Sequence, residues 1–580
     1  MYNKQIAEIF NEIADMLELE GEERSFEVRA YRKAALTIGT LQEDVGDILK
    51  KEGIEGLQKL PGIGKSLADR IREFVETGKI TKYEELKKKY PIDFKTLSSI
   101  QGLGSKRIYK LYKELGVKNL EDLKKAVEEH KISKLVGFGE KSESEIAKGI
   151  AMLEETSKRM LLGIALPEAE RIVAKLLDSR LVSKAVIAGS TRRMRETVGD
   201  LDILVTSDKA LEVMDFVTKL PEVESTTVKG PTKTTVWLKI GLSCDVRVVE
   251  DKSFGAALQY FTGSKEHGIE VRKIAVKKGY KLNEYGLFDS KGRMIAGKEE
   301  KDVYEKLGMQ YIEPEMREAR GEIELALQHK LPKLVEMGDI KGNLHTHTKF
   351  SDGANSVEEV VEEAIKRGYS YIGFSDHTKS ERVANGMDDK AFLKYFEYLD
   401  NVARKYPKIR ILKSGEVDIL KDGSLDLKKE TLEKMDYVIG AVHNYLNMDK
   451  ESMTKRIIKA LESGYVDILA HPTSRLIGER DPIQFDFDEV FDVAKANNVV
   501  MEINAFPNRL DLNDESILKA RAYALKYEIG LDAHRLSHFD YMRYGVGTAK
   551  RGWVRKEDVI NTMSAEELLK FFEKRRNKKT

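Results

Sequence analysis

Seven of the chain's ten histidines lie between His345 and His538, and six of them stand where predicted β-strands run out. The seven segments read GNLHTHT (343–349), YIGFSDH (371–377), ILKSGEVDI (411–419), DYVIGAVH (436–443), VDILAHP (466–472), VVMEINA (499–505) and EIGLDAH (528–534). Helical stretches separate most of them. Between the first two, Ser356 and Glu359 form a capping-box pattern ahead of an apolar stripe of Val357, Val360, Val361, Ala364 and Ile365. Strand–helix–strand repeated in this way makes a parallel sheet, expected to close as a barrel with its chemistry at the carboxyl ends of the strands.

His345 and His347 are two residues apart on a strand and point to one face. With Asp352, His377, Glu416, His443, His471, Asp532 and His534 they give nine nitrogen and oxygen donors at one barrel mouth. That is too many for one tetrahedral zinc and suits two or three divalent ions. Without thiolates the donors fit zinc, manganese or iron. Such a cluster polarises a phosphoryl oxygen and makes water a better nucleophile. A single histidine here could as easily be a packed core residue, but six in repeating register could not.

The motifs HTHTKFSDG, FSDHTKS, SGEVDIL, AVH, AHPTSR, INAFPNRLDL and DAH resemble those of the PHP (polymerase and histidinol phosphatase) family. The likeness covers about residues 335–580. It implies a distorted (β/α)7 barrel with a trinuclear metal centre that hydrolyses phosphoesters.

The 580 residues suffice for three or four domains. Lysine and arginine number 99 against 98 acidic residues, so the net charge is only +1 and any nucleic-acid surface must be local. The one cysteine, Cys244, allows no internal disulfide, which fits a reducing, cytoplasmic location. No apolar run reaches membrane-spanning length, and MYNKQIAEIF reads as an amphipathic helix and not as a signal peptide.

The front of the chain is helical, with Ile6, Ile9, Phe10, Ile13 and Leu17 at helical spacing. In LQKLPGIGKSLADRI, Gly62 and Gly64 let the backbone approach a phosphate, and Lys65 opens a helix whose free amides can bind it. IQGLGSKRI repeats this with Gly102, Gly104 and Lys106, and LVGFGEKSESEI does so more weakly. These copies resemble helix-hairpin-helix motifs, which grip the DNA backbone without reading its sequence.

The middle segment AVIAGSTRRMRETVGDLDILV (185–205) reads strand, turn, helix, strand. Asp200 and Asp202 share a strand face, and Asp245 is expected on a neighbouring strand. Three carboxylates of this kind hold a pair of magnesium ions for in-line phosphoryl transfer. Gly189 and Ser190 at a helix start, with Arg193 one turn on, form a triphosphate cradle.

The block resembles the palm of family X DNA polymerases in the nucleotidyltransferase superfamily, and the likeness runs on through FGAALQYFTGSKEHGIEVRKIAVKKGYKLNEYGLF (254–288). By that resemblance Tyr260, Phe261 and Gly263 flank the incoming sugar. Arg272 contacts the template or the nascent pair, and Arg247 regulates closure through Asp202 or Asp245. Two departures stand out. Gly268 replaces the asparagine that hydrogen-bonds the incoming base. Arg70 stands where repair members carry a Schiff-base lysine, and a guanidinium cannot serve as that nucleophile. No lyase is assigned, and Lys65 and Lys79 are read as DNA-backbone contacts.

The expected architecture is multidomain α+β and α/β. Helix-hairpin-helix regions occupy 1–90 and 91–155, a nucleotidyltransferase palm 156–250, and a small α+β nucleotide-binding subdomain 251–312. A linker at 313–338 leads to the barrel at 339–580. The linker's IEPEMR resembles the connection in microbial family X polymerases that carry a PHP domain. The resemblance implies a monomeric, gap-filling repair polymerase using deoxynucleoside triphosphates, gapped or primer-template DNA and two Mg2+. Its barrel, with two or three Mn2+ or Zn2+, would process 3′ ends as a 3′–5′ exonuclease and could cut abasic sites. Three alternatives compete: an inert barrel serving as a platform, template-independent addition, and a small-molecule phosphatase. His130, His267 and His329 are expected at the surface or in packing, and His538 receives no role.

Overall fold

The computed structural model describes residues 2–20, 22–41, 44–98, 100, 103–157 and 159–577, so Gly102 of the second hairpin lies outside the described residues. Two compact units result, Met1–Lys158 with Arg382–Asn385, and Arg159–Glu381 with Gly386–Thr580.

In the first unit every described element is helical. The opening helix Tyr2–Glu18 buries Ile6, Phe10, Ile13 and Leu17 completely, one side chain per turn. Each contributes about 1.5–3 kcal/mol of transfer free energy. Ile9, expected in the same stripe, lies at its edge and is only partly buried. The regions expected at 1–90 and 91–155 share one core, in which Phe10 and Leu17 belong with Phe94, Leu103, Ile108 and Leu111. Their boundary is therefore not a boundary in packing. Gly78 (φ 72°) and Gly116 (φ 73°) end the helices Lys65–Thr77 and Ser105–Leu115 in the left-handed region.

The second unit begins with a mixed sheet. Its strands lie in the order Lys184–Ile187, Asp200–Thr206, Leu242–Val249, Lys233–Leu238, Val223–Lys229, and only the Asp200–Thr206/Leu242–Val249 pair is parallel. Leu201, Ile203, Cys244 and Val246 fill the core face, leaving Asp200, Asp202 and Asp245 on the other. The expected helix after Gly189 is a single turn, Gly189–Arg192, too short to carry a significant dipole.

Next come the helices Phe254–Thr262 and Lys265–Lys277 and an antiparallel ribbon of Lys281–Asn283, Gly286–Phe288 and Met294–Ala296. The stretch expected as a linker folds into this subdomain. Ile312, Met316, Ile323, Ala326 and Leu334 join its core with Val271 and Tyr304. Arg317 is fully buried there, its Nε on the main-chain oxygen of Ile312 and its Nη1 on Glu300, while Nη2 finds no hydrogen-bond partner among the described residues. Arg192 of the palm donates to the same Glu300, at 3.0 and 2.8 Å.

The barrel has two parallel arcs. Gly342–Asn343, Tyr371–Phe374 and Arg410–Lys413 form one, and Glu416–Asp418, Ile439–Ala441, Ile468–Leu469, Val500–Asn504 and Tyr527–Gly530 form the other. The third predicted strand, ILKSGEVDI, breaks at Ser414–Gly415. Parallel bridges His377–Glu416 and Thr346–Ala533 join the arcs at both seams and close the ring. The capping box of Ser356 and Glu359 forms as expected and starts Val357–Lys366, which buries Val357, Val360, Val361 and Ala364. Ile365, assigned to that stripe from the sequence, is 38% exposed.

Candidate metal centres and nucleic-acid interface

Register alone assembles the palm carboxylates. Asp202 lies directly across from Asp245 on the parallel pair, and Asp200 precedes it by two residues on the same face. Asp245 is held by Thr235 Oγ1 at 2.6 Å, Lys233 Nζ at 2.7 Å and Arg247 Nη2 at 3.1 Å. Burial opposes its ionisation, but the hydrogen bonds from Lys233 and Thr235 win and hold its carboxyl below the usual range. Asp202 is the opposite case. Burial, then the charges of Asp200 and Asp245, push it up to about 7. Three carboxylates that disfavour one another's charge are what a divalent cation relieves, so the donor set fits.

Gly189 abuts this cluster. Its φ is +63°, and a Cβ there would stand 2.5 Å from Asp202 Oδ2. Ser190 is half-buried at the head of the turn. Arg193 is buried, with Nη1 on Thr262 O and Nε on Glu318 Oε1 at 3.1 Å. Glu318, which now occupies Arg193, escaped the sequence reading because it sits in the presumed linker.

Gly263, at φ +66°, passes close to Arg193, and a Cβ there would meet Nη1 at 3.2 Å. Tyr260 is 42% exposed, with the Arg272 guanidinium over its ring at 5.7 Å. Phe261 packs edge-on to it and lies under Arg247 at 4.5 Å. Arg247 thereby links Phe261 to Asp245, one of the two carboxylates the resemblance offered. At the departure position Gly268, Arg272 fills the space, with Nη1 3.3 Å from where a Cβ would stand.

The barrel mouth brings all nine expected ligands together. Glu416 is the hub: His377 (3.1 Å), His345 and His347 (both 3.4 Å) approach Oε2, and His471 (2.8 Å) and His443 (3.1 Å) approach Oε1. Asp532 Oδ1 lies 3.4 Å from His347 and 3.5 Å from His534, and Asp352 Oδ2 lies 3.2 Å from His534. Donor groups small enough to share an ion are His347–Asp352–His377–His534, His345–His347–Asp532, His377–Glu416–His443 and Glu381–Asp418–His443, the last with two carboxylates outside the expected nine.

Fit to metal ions follows from the ring nitrogens. His345 Nε2, both nitrogens of His347, His377 Nδ1 and His471 Nδ1 are buried with no hydrogen-bond partner among the described residues. Buried polar atoms are ordinarily paired, so these await cations. Burial and the neighbouring rings of His534 and His377 lower His347 to about 4, keeping it a neutral donor. Burial would lower His534 too, but Asp352 and Asp532 raise it to about 9. His471 (φ 26°) and Asp532 (φ 50°) hold left-handed backbones, a strain common at functional positions. When bound, divalent ions here supply Lewis acidity toward a phosphoester.

Sequence reasoning missed the residues behind the ligands. Glu502 takes His345 Nδ1 and the His471 amide, each at 2.5 Å, and Asp418 pairs with His443 Nδ1 at 2.8 Å. Such carboxylates fix which ring nitrogen faces a metal. Their signal was present: each is a carboxylate on a fully buried strand, where an unpaired charge is costly. Asp376 instead accepts from Thr348, Ser351 and Tyr395 and shapes the first loop.

The remaining histidines divide. His267 is fully buried between Glu322 (2.7 Å) and Tyr304 (2.9 Å), while His130 pairs with Glu143 and is mostly exposed. His329 is exposed. His538 stacks on Tyr541 and accepts the His534 amide at 3.2 Å.

In the helical unit, Gly62 (φ 81°) turns the first hairpin, and Gly64 and Gly104 cap the following helices without side chains, leaving amides open beside exposed Lys65 and Lys106. A cleft of about 630 Å³ beside the first hairpin is lined by Lys65, Arg70 and Lys82 but equally by Asp69, Glu73 and Glu85, so its charge is balanced. Arg70 itself bonds Ser66 and lies over Tyr31 at 5.4 Å. Among the described residues no helix is long and apolar enough to cross a membrane.

Four family models match the chain: a helix-hairpin-helix domain over residues 1–80, a SAM-like helix-hairpin-helix tandem over 94–151, the DNA polymerase beta thumb over 257–318 and a PHP domain over 343–506. The DNA polymerase/3'-5' exonuclease PolX of Bacillus subtilis is 37% identical over 577 residues, covering 99% of this chain and 100% of that protein. DNA polymerase lambda of Arabidopsis thaliana is 28% identical over 54% of this chain and 62% of its own length. A probable phosphatase of Thermoanaerobacter sp. is 32% identical over 38% of this chain and 89% of its own length. Full-length likeness to PolX, with carboxylates and imidazoles grouped as above, means that the chain belongs to the family X DNA polymerases that carry a C-terminal PHP domain.

Proposed function

We propose that the chain fills short gaps in DNA during repair and trims 3′ ends with its barrel. The palm extends a primer with deoxynucleoside triphosphates, using Asp200, Asp202 and Asp245 to hold two Mg2+. Gly189, Ser190 and Arg193 take the triphosphate, Tyr260, Phe261 and Gly263 the sugar, and Arg272 the nascent pair. The hairpins at Gly62, Gly64 and Lys65 and at Gly102, Gly104 and Lys106 hold the DNA backbone, so binding is salt-dependent and tolerant of sequence. The nine barrel ligands hold two or three Mn2+ or Zn2+ for 3′–5′ removal of nucleotides, and the same site serves cleavage at abasic sites. The enzyme acts as a cytoplasmic monomer.

What carries this reading is the pairing of Asp202 with Asp245 in one unit with a second cluster of orphaned imidazoles. The likeness to a probable phosphatase supports a second use of the barrel, removal of a 3′-blocking phosphate. Labelled gapped DNA, with and without nucleotides, incubated with wild type, Asp200→Ala and Asp352→Ala, tests the whole scheme. Extension lost only in the first variant and trimming only in the second is the expected result. Joint loss of both activities in either variant defeats the two-site scheme.

A further inference from the structure

The barrel touches the polymerase at its nucleotide turn. Helix Met542–Arg551 lies behind residues 193–195, and Gly547 is there because Met194 leaves no room for more: a Cβ would stand 2.7 Å from Met194 Cε. Arg551, only 5% exposed, donates through Nη1 to the main-chain oxygen of Arg193 and to Glu318 Oε1, both at 2.8 Å. Its Nη2 is anchored on Asp514 at 2.6 Å, which Arg320 also contacts at 3.0 Å. Glu318 is thus shared by Arg551, by Arg193 at 3.1 Å and by Arg195 at 3.6 Å.

We propose that Arg551 is a positioning residue of the polymerase, through which the barrel sets nucleotide affinity. This rests on the reading of the Gly189–Arg193 turn as the triphosphate site. Arg193, Arg195, Arg551 and Arg320 face three carboxylates, Glu318, Asp514 and the exposed Glu515, so positive potential is left at the turn for an anion. By competing for Glu318, Arg551 keeps that carboxylate from closing fully on Arg193, whose guanidinium must reach a phosphate. By bonding the Arg193 carbonyl it also fixes the backbone from which that side chain springs. The barrel is therefore part of the nucleotide site, whatever its own chemistry.

Single-nucleotide gap filling by full-length Arg551→Ala tests this, with trimming of single-stranded DNA measured in the same preparation. The KM for the nucleotide should rise about tenfold, the size of one charged hydrogen bond lost. The kcat should stay within about twofold, trimming should be normal, and Arg551→Lys should restore most of the affinity. An unchanged KM overturns the inference. Should Arg551→Ala fold poorly, Gly547→Ala carries the test, since it presses on Met194 and leaves every charge in place. A raised KM with normal trimming sustains the proposal, and an unchanged KM, or parallel loss of both activities in both variants, overturns it. Failure of the underlying reading would look different: Arg193→Ala would itself leave the KM for the nucleotide unchanged.

Discussion

In the palm, Asp200 is exposed, and the oxygens of Asp245 are already engaged by Lys233, Thr235 and Arg247. In the barrel, Glu416 is 1% exposed and faces five imidazoles. Both sites collect negative charge for cations, but they differ in hardness and in access. An open, all-oxygen site suits a hard ion that arrives with a phosphate and leaves with it. A closed site rich in ring nitrogens suits transition ions retained through turnover. One unit can thereby hold two phosphoryl chemistries without exchanging their metals.

The contrast is easiest to break at the palm. Asp200→Ala should cut primer extension by about a thousandfold or more while 3′ trimming persists, as followed on a labelled gapped duplex. Trimming that vanished as well would end the idea of independent sites. Conversely, Asp352→Ala should lose bound transition metal by elemental analysis and about a hundredfold of trimming, with extension nearly intact. Full exonuclease activity in that variant would make the barrel a platform only.

Metal exchange sharpens the difference further. After prolonged chelation, Mg2+ alone should restore extension at once, whereas trimming should return only with Mn2+ or Zn2+. Recovery of both with Mg2+ would show that hardness does not separate the sites. The smallest effect is expected at Gly268→Asn, where a Cβ alone would already stand 3.3 Å from Arg272 Nη1, so the new side chain must share the space with that guanidinium. A few-fold lower KM for the nucleotide is expected, and an unchanged value would show that Arg272 already does the work of the missing asparagine.

The strand-end histidines were legible because a period of two and a repeating strand–helix unit leave few places for them to go. The three palm aspartates were legible for the same reason. Asp418 was not assigned, because a second carboxylate beside Glu416 reads equally well as ligand, support or spare charge until distances are known, and Glu502 was not assigned, because it lies inside its strand and no other ligand marks that strand. The stretch 313–338 was misread because its polar sequence hides Arg317, whose burial depends on Glu300 and is invisible locally. Contacts between barrel and palm lay further out of reach. Arg475–Glu196 (2.6 Å) and Arg543–Glu170 (2.9 Å) join residues hundreds of positions apart, and no local pattern announces them.

Gly189 has a consequence for anyone who would rebuild this enzyme. Because its missing side chain is the space that Asp202 occupies, the phosphate turn and the metal-binding strand cannot be varied separately. A library that randomises the turn should return glycine at this position in every active clone. A graft that carries the aspartates into another scaffold without the glycine would import a collision along with the chemistry.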